Sequence, residues 1–201
     1  MAVYDGMRKV QEKLESGKAA HIGHPCTRFV GAFEHFKEAD PSSEEGIWAA
    51  DAIGTSSVDE FAIELESNRV YYNNHFRPMS DYLFSSIGTF HKDEVLCQES
   101  TYAGLQKISS MVGRPVPKDL FGTPFPQAME TCHTLSAAAQ AAIKKLYKRD
   151  YCIFGYEELP SDNSSCPQAR MTKEAMRQRY EDCLMAEESS GEDVIVHVWK
   201  H

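Results

Sequence analysis

His24-Pro25-Cys26-Thr27-Arg28-Phe29-Val30-Gly31-Ala32-Phe33 follows a short strand-like run, Lys18 to Gly23, and reads as the opening of a helix. Proline suits a first helical turn, where its missing N–H leaves no bond unmade and its φ is already helical. Phe29, Val30, Phe33 and Phe36 then recur at helical spacing, so the predicted helix spans 25–38 with those side chains inward. A strand feeding a helix N-terminus is a natural anion site, because unpaired N–H groups and the helix dipole converge there. Arg28 adds a guanidinium whose planar fork matches phosphate or sulfate.

Working outward, Val3, Met7, Val10 and Leu14 predict a first helix that stops at Gly17. Asp40 to Gly46 reads as a polar loop, and Ser57-x-x-Glu60 is a capping box ahead of Phe61, Ala62 and Leu65. Gly88 to His91 and Glu94 to Gln98 have the character of short strands. A helix capped at Ser100 runs to Gly113, and an alanine-rich helix covers 136–148. A composition break at 158–167 precedes a helix carrying Met176, Tyr180, Cys183 and Leu184, then a terminal strand, Val194 to Trp199. The expected organisation is one domain over 1–157 with a C-terminal extension, 158–201, packed on it.

Bulk composition excludes several classes. At 201 residues, 42% hydrophobic and 25% charged, the chain is of ordinary globular type. Its net charge of −9 speaks against a nucleic-acid partner. Residues 157 to 193 hold ten Asp/Glu and four Lys/Arg, a balance of −6, so most of the excess lies in the tail. Lys144, Lys145, Lys148 and Arg149 form a local basic run, best read as a solvated helix face. No apolar run reaches the roughly 20 residues of a membrane span, and no leader peptide opens the sequence. A soluble cytoplasmic protein is the expectation, with a Golgi-luminal one only if a segment upstream is missing. The cysteines at 26, 97, 132, 152, 166 and 183 form no C-x-x-C pair, and reduced buried thiols are expected.

Four stretches, taken in order, resemble the carbohydrate sulfotransferases that use the sulfate donor PAPS and modify chondroitin, dermatan and glucuronyl glycans. The segment 23–33 is similar to the family's 3′-phosphate element, R-D-P-x-x-R-x-x-S-x-Y: Pro25 and Arg28 match, Phe33 replaces tyrosine, and Gly23 and Gly31 stand in place of the arginine and serine that grip the phosphate. Asn73-Asn74-His75-Phe76-Arg77-Pro78 resembles the D-x-H-W-x-P segment. Cys97-Gln98-Glu99-Ser100 with its following helix resembles the "F-E-T-L" passage. Lys144 to Tyr156 is similar to the closing "L-Y…D-Y…F-G-Y" box.

The resemblance implies a P-loop-type α/β domain: three layers around a central, mainly parallel sheet, here N-terminally shortened. It implies sulfuryl transfer from PAPS to a carbohydrate or small hydroxylated acceptor, with Pro25, Arg28, Gly23 and Gly31 as a degenerate 3′-phosphate element. His75 then stands as base or acceptor orienter and Arg77 as a substrate ligand. The loop that cradles the donor's 5′-phosphosulfate has no counterpart, since residues 1–6 hold no Lys-Gly-Ser/Thr cluster. PAPS or PAP binding is therefore expected to be weak. The alternative is a catalytically inactive binding or interaction protein with a carbohydrate or small anionic ligand.

Each of these residues also has a plainer role. Arg28 can pair with Glu34, His75 can be a loop histidine bonded to backbone, Arg77 can form a salt bridge, and Glu99 can cap a helix. His21, His24, Cys26 and His35 lack the spacing of a zinc module, so no metal is expected. No G-x-S-x-G elbow and no G-x-G-x-x-G turn occurs. The apolar terminal strand is expected to complete the sheet, within the chain or by exchange in a homodimer.

Overall fold

Helix α1 spans Pro25–Glu38, where proline and the aromatic spacing place it, and buries Phe29, Val30, Phe33 and Phe36. The computed structural model describes residues 19–66, 73–85, 88–92, 94–97, 126–160 and 172–189. The other helices, in chain order, are α2 (Glu44–Ala52), α3 (Val58–Ile63), α4 (Ser80–Leu83), α5 (Pro126–Thr134), α6 (Ala137–Leu146), α7 (Lys148–Phe154) and α8 (Lys173–Ser189). Single 3-10 turns cover Glu64–Glu66 and Asn74–Phe76.

Local chemistry accounts for many of the boundaries. Ser57 and Glu60 make the predicted reciprocal capping box at α3. Ser136 caps α6 through the Ala139 N–H, and its own N–H and hydroxyl bind the Asp59 carboxylate of α3, both at 2.7 Å. Helix α7 ends on Gly155, whose φ of 67° is the left-handed conformation that glycine adopts at no steric cost. The polar run at 40–46 contains the start of a helix: Ser43 caps α2, and Gly46 lies so close to the Asp40 carbonyl that a Cβ would sit 2.0 Å from its oxygen.

The expected three-layer α/β architecture of P-loop type is overturned. Among the described residues helix dominates, and β structure is confined to one parallel pair, β1 (Ala19–Ile22) against β2 (Glu94–Cys97). Residues 88–91 contribute only an isolated bridge, Phe90 to Phe84. The physical reason lies in α1. Its apolar face packs against α2, α5 and α6, so it is covered by other helices rather than laid on a sheet. The first helix, the helix after Ser100 and the strand at 194–199 lie outside the described residues.

Two apolar cores result. The first gathers Phe29, Phe33, Phe36, Phe61, Leu65, Phe76, Ile143 and Tyr147 from α1, α3, α6, the residue that ends α6, and the 64–66 and 74–76 turns. The second gathers Ile22, Met79, Leu83, Phe84, Phe90, Ile153, Phe154, Met176 and Tyr180. Each carries a disulfide, Cys26–Cys132 in the first and Cys152–Cys183 in the second. The expectation of reduced thiols is corrected accordingly. Sequence distance hid the pairs, and the fold brings their Cα atoms to 6.1 and 6.0 Å, ordinary disulfide separations.

Candidate functional site

The N-terminus of α1 is closed from within. Pro25 offers no N–H, and the Cys26 N–H donates to Nδ1 of His24, which acts as the helix cap. With Nδ1 accepting, Nε2 carries the proton and donates to the Glu157 carbonyl at 3.0 Å. The imidazole is wholly buried between the ring edges of Tyr151 and Tyr156. Burial holds its pKa down at about 4, against the raising effect of the Glu157 bond, so it is neutral at pH 7. The Thr27 hydroxyl donates to the His24 carbonyl, and Gly23 and Pro25 are buried. Of the N–H groups that would meet a phosphate, Cys26's is taken by the His24 ring and Arg28's by the His24 carbonyl.

One turn along, Arg28 makes its bond to backbone rather than to Glu34: Nη2 donates to the Arg77 carbonyl. Its Nη1 is buried without a hydrogen-bond partner, and the guanidinium carbon lies 5.8 Å from the Tyr147 ring centre. Tyr147 donates its hydroxyl to the Phe76 carbonyl at 2.8 Å. The Asp150 carboxylate, fully buried, accepts from the N–H groups of Met79 and Ser80 at 2.7 and 2.8 Å. Burial pushes the Asp150 pKa up, while those N–H bonds and the nearby Arg28 charge favour its ionised form. The backbone of 76–80 is thus held by side chains from two distant helices, Arg28 of α1 and Tyr147 and Asp150 of the α6–α7 stretch. A loop buried between helices needs such partners, because each unpaired buried polar group costs about 1–3 kcal/mol.

Three of the four stretches that carry the family resemblance therefore meet at one place, and their polar residues mostly serve backbone. Arg28 and Arg77 are brought together, and His75 lies close enough to feel the Arg28 charge. Its ring is stacked on His35 with 5.6 Å between centres, near Phe36, on the exposed rim of α1. Burial, then the neighbouring His35, lower its pKa, so it is more readily neutral than a free histidine. His35 in turn contacts Glu45 at 3.1 Å. Arg77 takes the salt-bridge role, 3.5 Å from Asp81, with its guanidinium 4.8 Å over the Tyr82 ring. Beside Gly31 there is open space, with nothing within 4 Å of a built Cβ. In the basic run, Lys144 pairs with Glu158 and Arg149 with Glu187.

Sequence reasoning missed His24 as a cap and Asp150 as a buried acceptor. The available signals were a histidine directly before an N1 proline and an aspartate embedded in an aromatic box. Among the described residues, no group of three or more His, Cys, Asp or Glu side chains is arranged to hold a metal ion. Among them, too, no helix is long and apolar enough to cross a membrane. Compared with protein-family models, curated proteins and solved structures, the chain has no match.

Proposed function

We propose that this chain is a catalytically inactive binding or interaction protein of an oxidising compartment, in which motif residues resembling a sulfotransferase's have become internal struts. The observation that carries this reading is the closed N-terminus of α1, where His24 occupies the Cys26 N–H and Arg28 is bonded to the Arg77 carbonyl. An anion there would have to displace a buried imidazole and an arginine bond, and it would meet glycine where two phosphate ligands are wanted. The compartment follows from the two disulfides, which persist where thiols are not kept reduced. A carbohydrate or a small anion remains the ligand class proposed, with a homodimer through the terminal strand as the proposed assembly.

A second reading has one observation in its favour. The Nη1 of Arg28 is buried without a partner, as an arginine awaiting an anion would be. On that reading the protein binds PAPS at Arg28 and transfers its sulfuryl group to a hydroxylated acceptor held by Arg77, with His75 as base. Calorimetric titration of the chain with PAP separates the two. Silence at millimolar PAP is expected, and micromolar binding would overturn the inactive reading in favour of the enzyme.

A further inference from the structure

The two disulfides differ in what an external thiol can reach. Cys26 and Cys132 are 2% and 0% exposed, whereas Cys152 is exposed and only its partner Cys183 is buried, at 3%. Cys183 belongs to α8, and this helix packs on the body through the face that carries Met176, Tyr180, Cys183 and Leu184. Tyr180 stacks on Phe84 with 4.4 Å between ring centres. Polar ties include the Arg149–Glu187 pair at 3.0 Å and a bond from Arg179 Nε to the Cys152 carbonyl at 3.0 Å. Arg179 brings positive charge to Cys152, which favours an approaching thiolate and the thiolates that cleavage leaves.

From this geometry we propose that Cys152–Cys183 is a reducible latch, opened by a dithiol reductant, which frees α8 from the apolar face of Met79, Phe84, Phe90 and Ile153. One thiolate of the reductant attacks the Cys152 sulfur and expels Cys183 as a thiolate. The second reductant thiol then attacks the mixed disulfide and releases Cys152. The reductant leaves as its disulfide, and the two electrons it gives up end, with two protons, on the two cysteines. Cys26–Cys132 has neither the exposure nor a detachable helix, so it stays closed under the same conditions.

The test uses the full native chain in graded dithiothreitol, with alkylation and peptide mapping of these four cysteines, and hydrogen exchange on the same samples. Cys152 and Cys183 should label together, roughly tenfold faster than Cys26 and Cys132, in keeping with access to the attacked sulfur. Amide exchange should rise across 173–189 and stay unchanged in α1 and α5. Simultaneous labelling of both pairs, or unchanged protection of α8 once its disulfide is open, would overturn the latch. The double variant Cys152→Ser, Cys183→Ser should show the same fast α8 exchange without reductant. If that variant fails to fold, the partly reduced native chain still decides.

Discussion

The first core and the second core solve the same problem with different means. In the first, aromatic rings contact one another directly: Phe29 and Phe76 lie 5.4 Å apart, Phe61 and Phe76 5.4 Å, Phe36 and Trp48 4.6 Å, on helices that cover each other on several sides. Its disulfide is buried and closes 106 residues of sequence. In the second, α8 is added from one side, and its disulfide spans 31 residues with one end in solvent. The difference teaches that the first core encloses its cross-link, while the second holds α8 by a cross-link at its surface. A cross-link also matters more the longer the loop it closes in the unfolded chain.

The strongest way to break that comparison is to remove the first cross-link. Loop-closure entropy assigns about 4.7 kcal/mol to a loop of this size and roughly 3.7 kcal/mol to the shorter one. Cys26→Ser with Cys132→Ser should therefore destabilise the chain more than Cys152→Ser with Cys183→Ser, as read from urea unfolding. Equal losses would mean that loop length is not what separates the two cores.

Asp150 lies at the seam between the cores, binding the backbone that leads from Phe76 of one to Leu83 of the other. Asp150→Ala leaves two buried N–H groups without an acceptor, a loss of about 4 kcal/mol. Chemical denaturation should show it, and a change below about 1 kcal/mol would mean that water replaces the carboxylate.

Acid sharpens the comparison further, because His24 packs its ring against Tyr151 and Tyr156, where the second core meets the start of α1. Its pKa falls from 6.5 to about 4 on folding, so the unfolded chain binds the proton more tightly. The stability this neutral histidine contributes is fully present above pH 6.5 and is lost as pH falls, about 3 kcal/mol by pH 4. Asp150 acts in the opposite sense, since a raised carboxyl pKa favours the folded state as it takes up its proton. His24→Asn, a cap that does not titrate, leaves Asp150 in place, so the difference in pH slope between variant and parent isolates His24. Identical slopes would show that His24 is not buried as a neutral group.

The smallest effect is expected at Gly31. The open space there accepts Gly31→Ser, which should raise thermal stability by about 0.4 kcal/mol through helix propensity alone. PAP should remain unbound in calorimetry, because the α1 N-terminus stays closed. Binding gained through this one hydroxyl would show that the site was only missing a ligand.

Much of the local structure was legible beforehand. Proline and the Phe29, Val30, Phe33, Phe36 spacing placed α1, and the Ser57 box and Ser136 placed the starts of α3 and α6. These signals work because caps and periodicity involve residues within one or two turns of each other. Helix α2 escaped because proline, serines and a glycine around its start read as a loop, and the need for glycine at 46 comes from the packed Asp40 carbonyl. At the candidate site, Arg28, His75 and Arg77 were picked out, but their partners were not.

From the sequence alone come the helix α1 with its inward aromatics, the caps that start its neighbours, the acidic balance of the extension and the choice of Arg28, His75 and Arg77 as polar residues of interest. Only the tertiary structure decided that α1 is roofed by helices instead of a sheet, that Arg28, Tyr147 and Asp150 hold the backbone of 76–80, and which cysteines join. The reason is range. Hydrogen-bond caps and periodic burial act over a few residues, whereas the partner of a buried charge or thiol is chosen by which distant surfaces pack, and here those partners stand 31 to 106 positions apart.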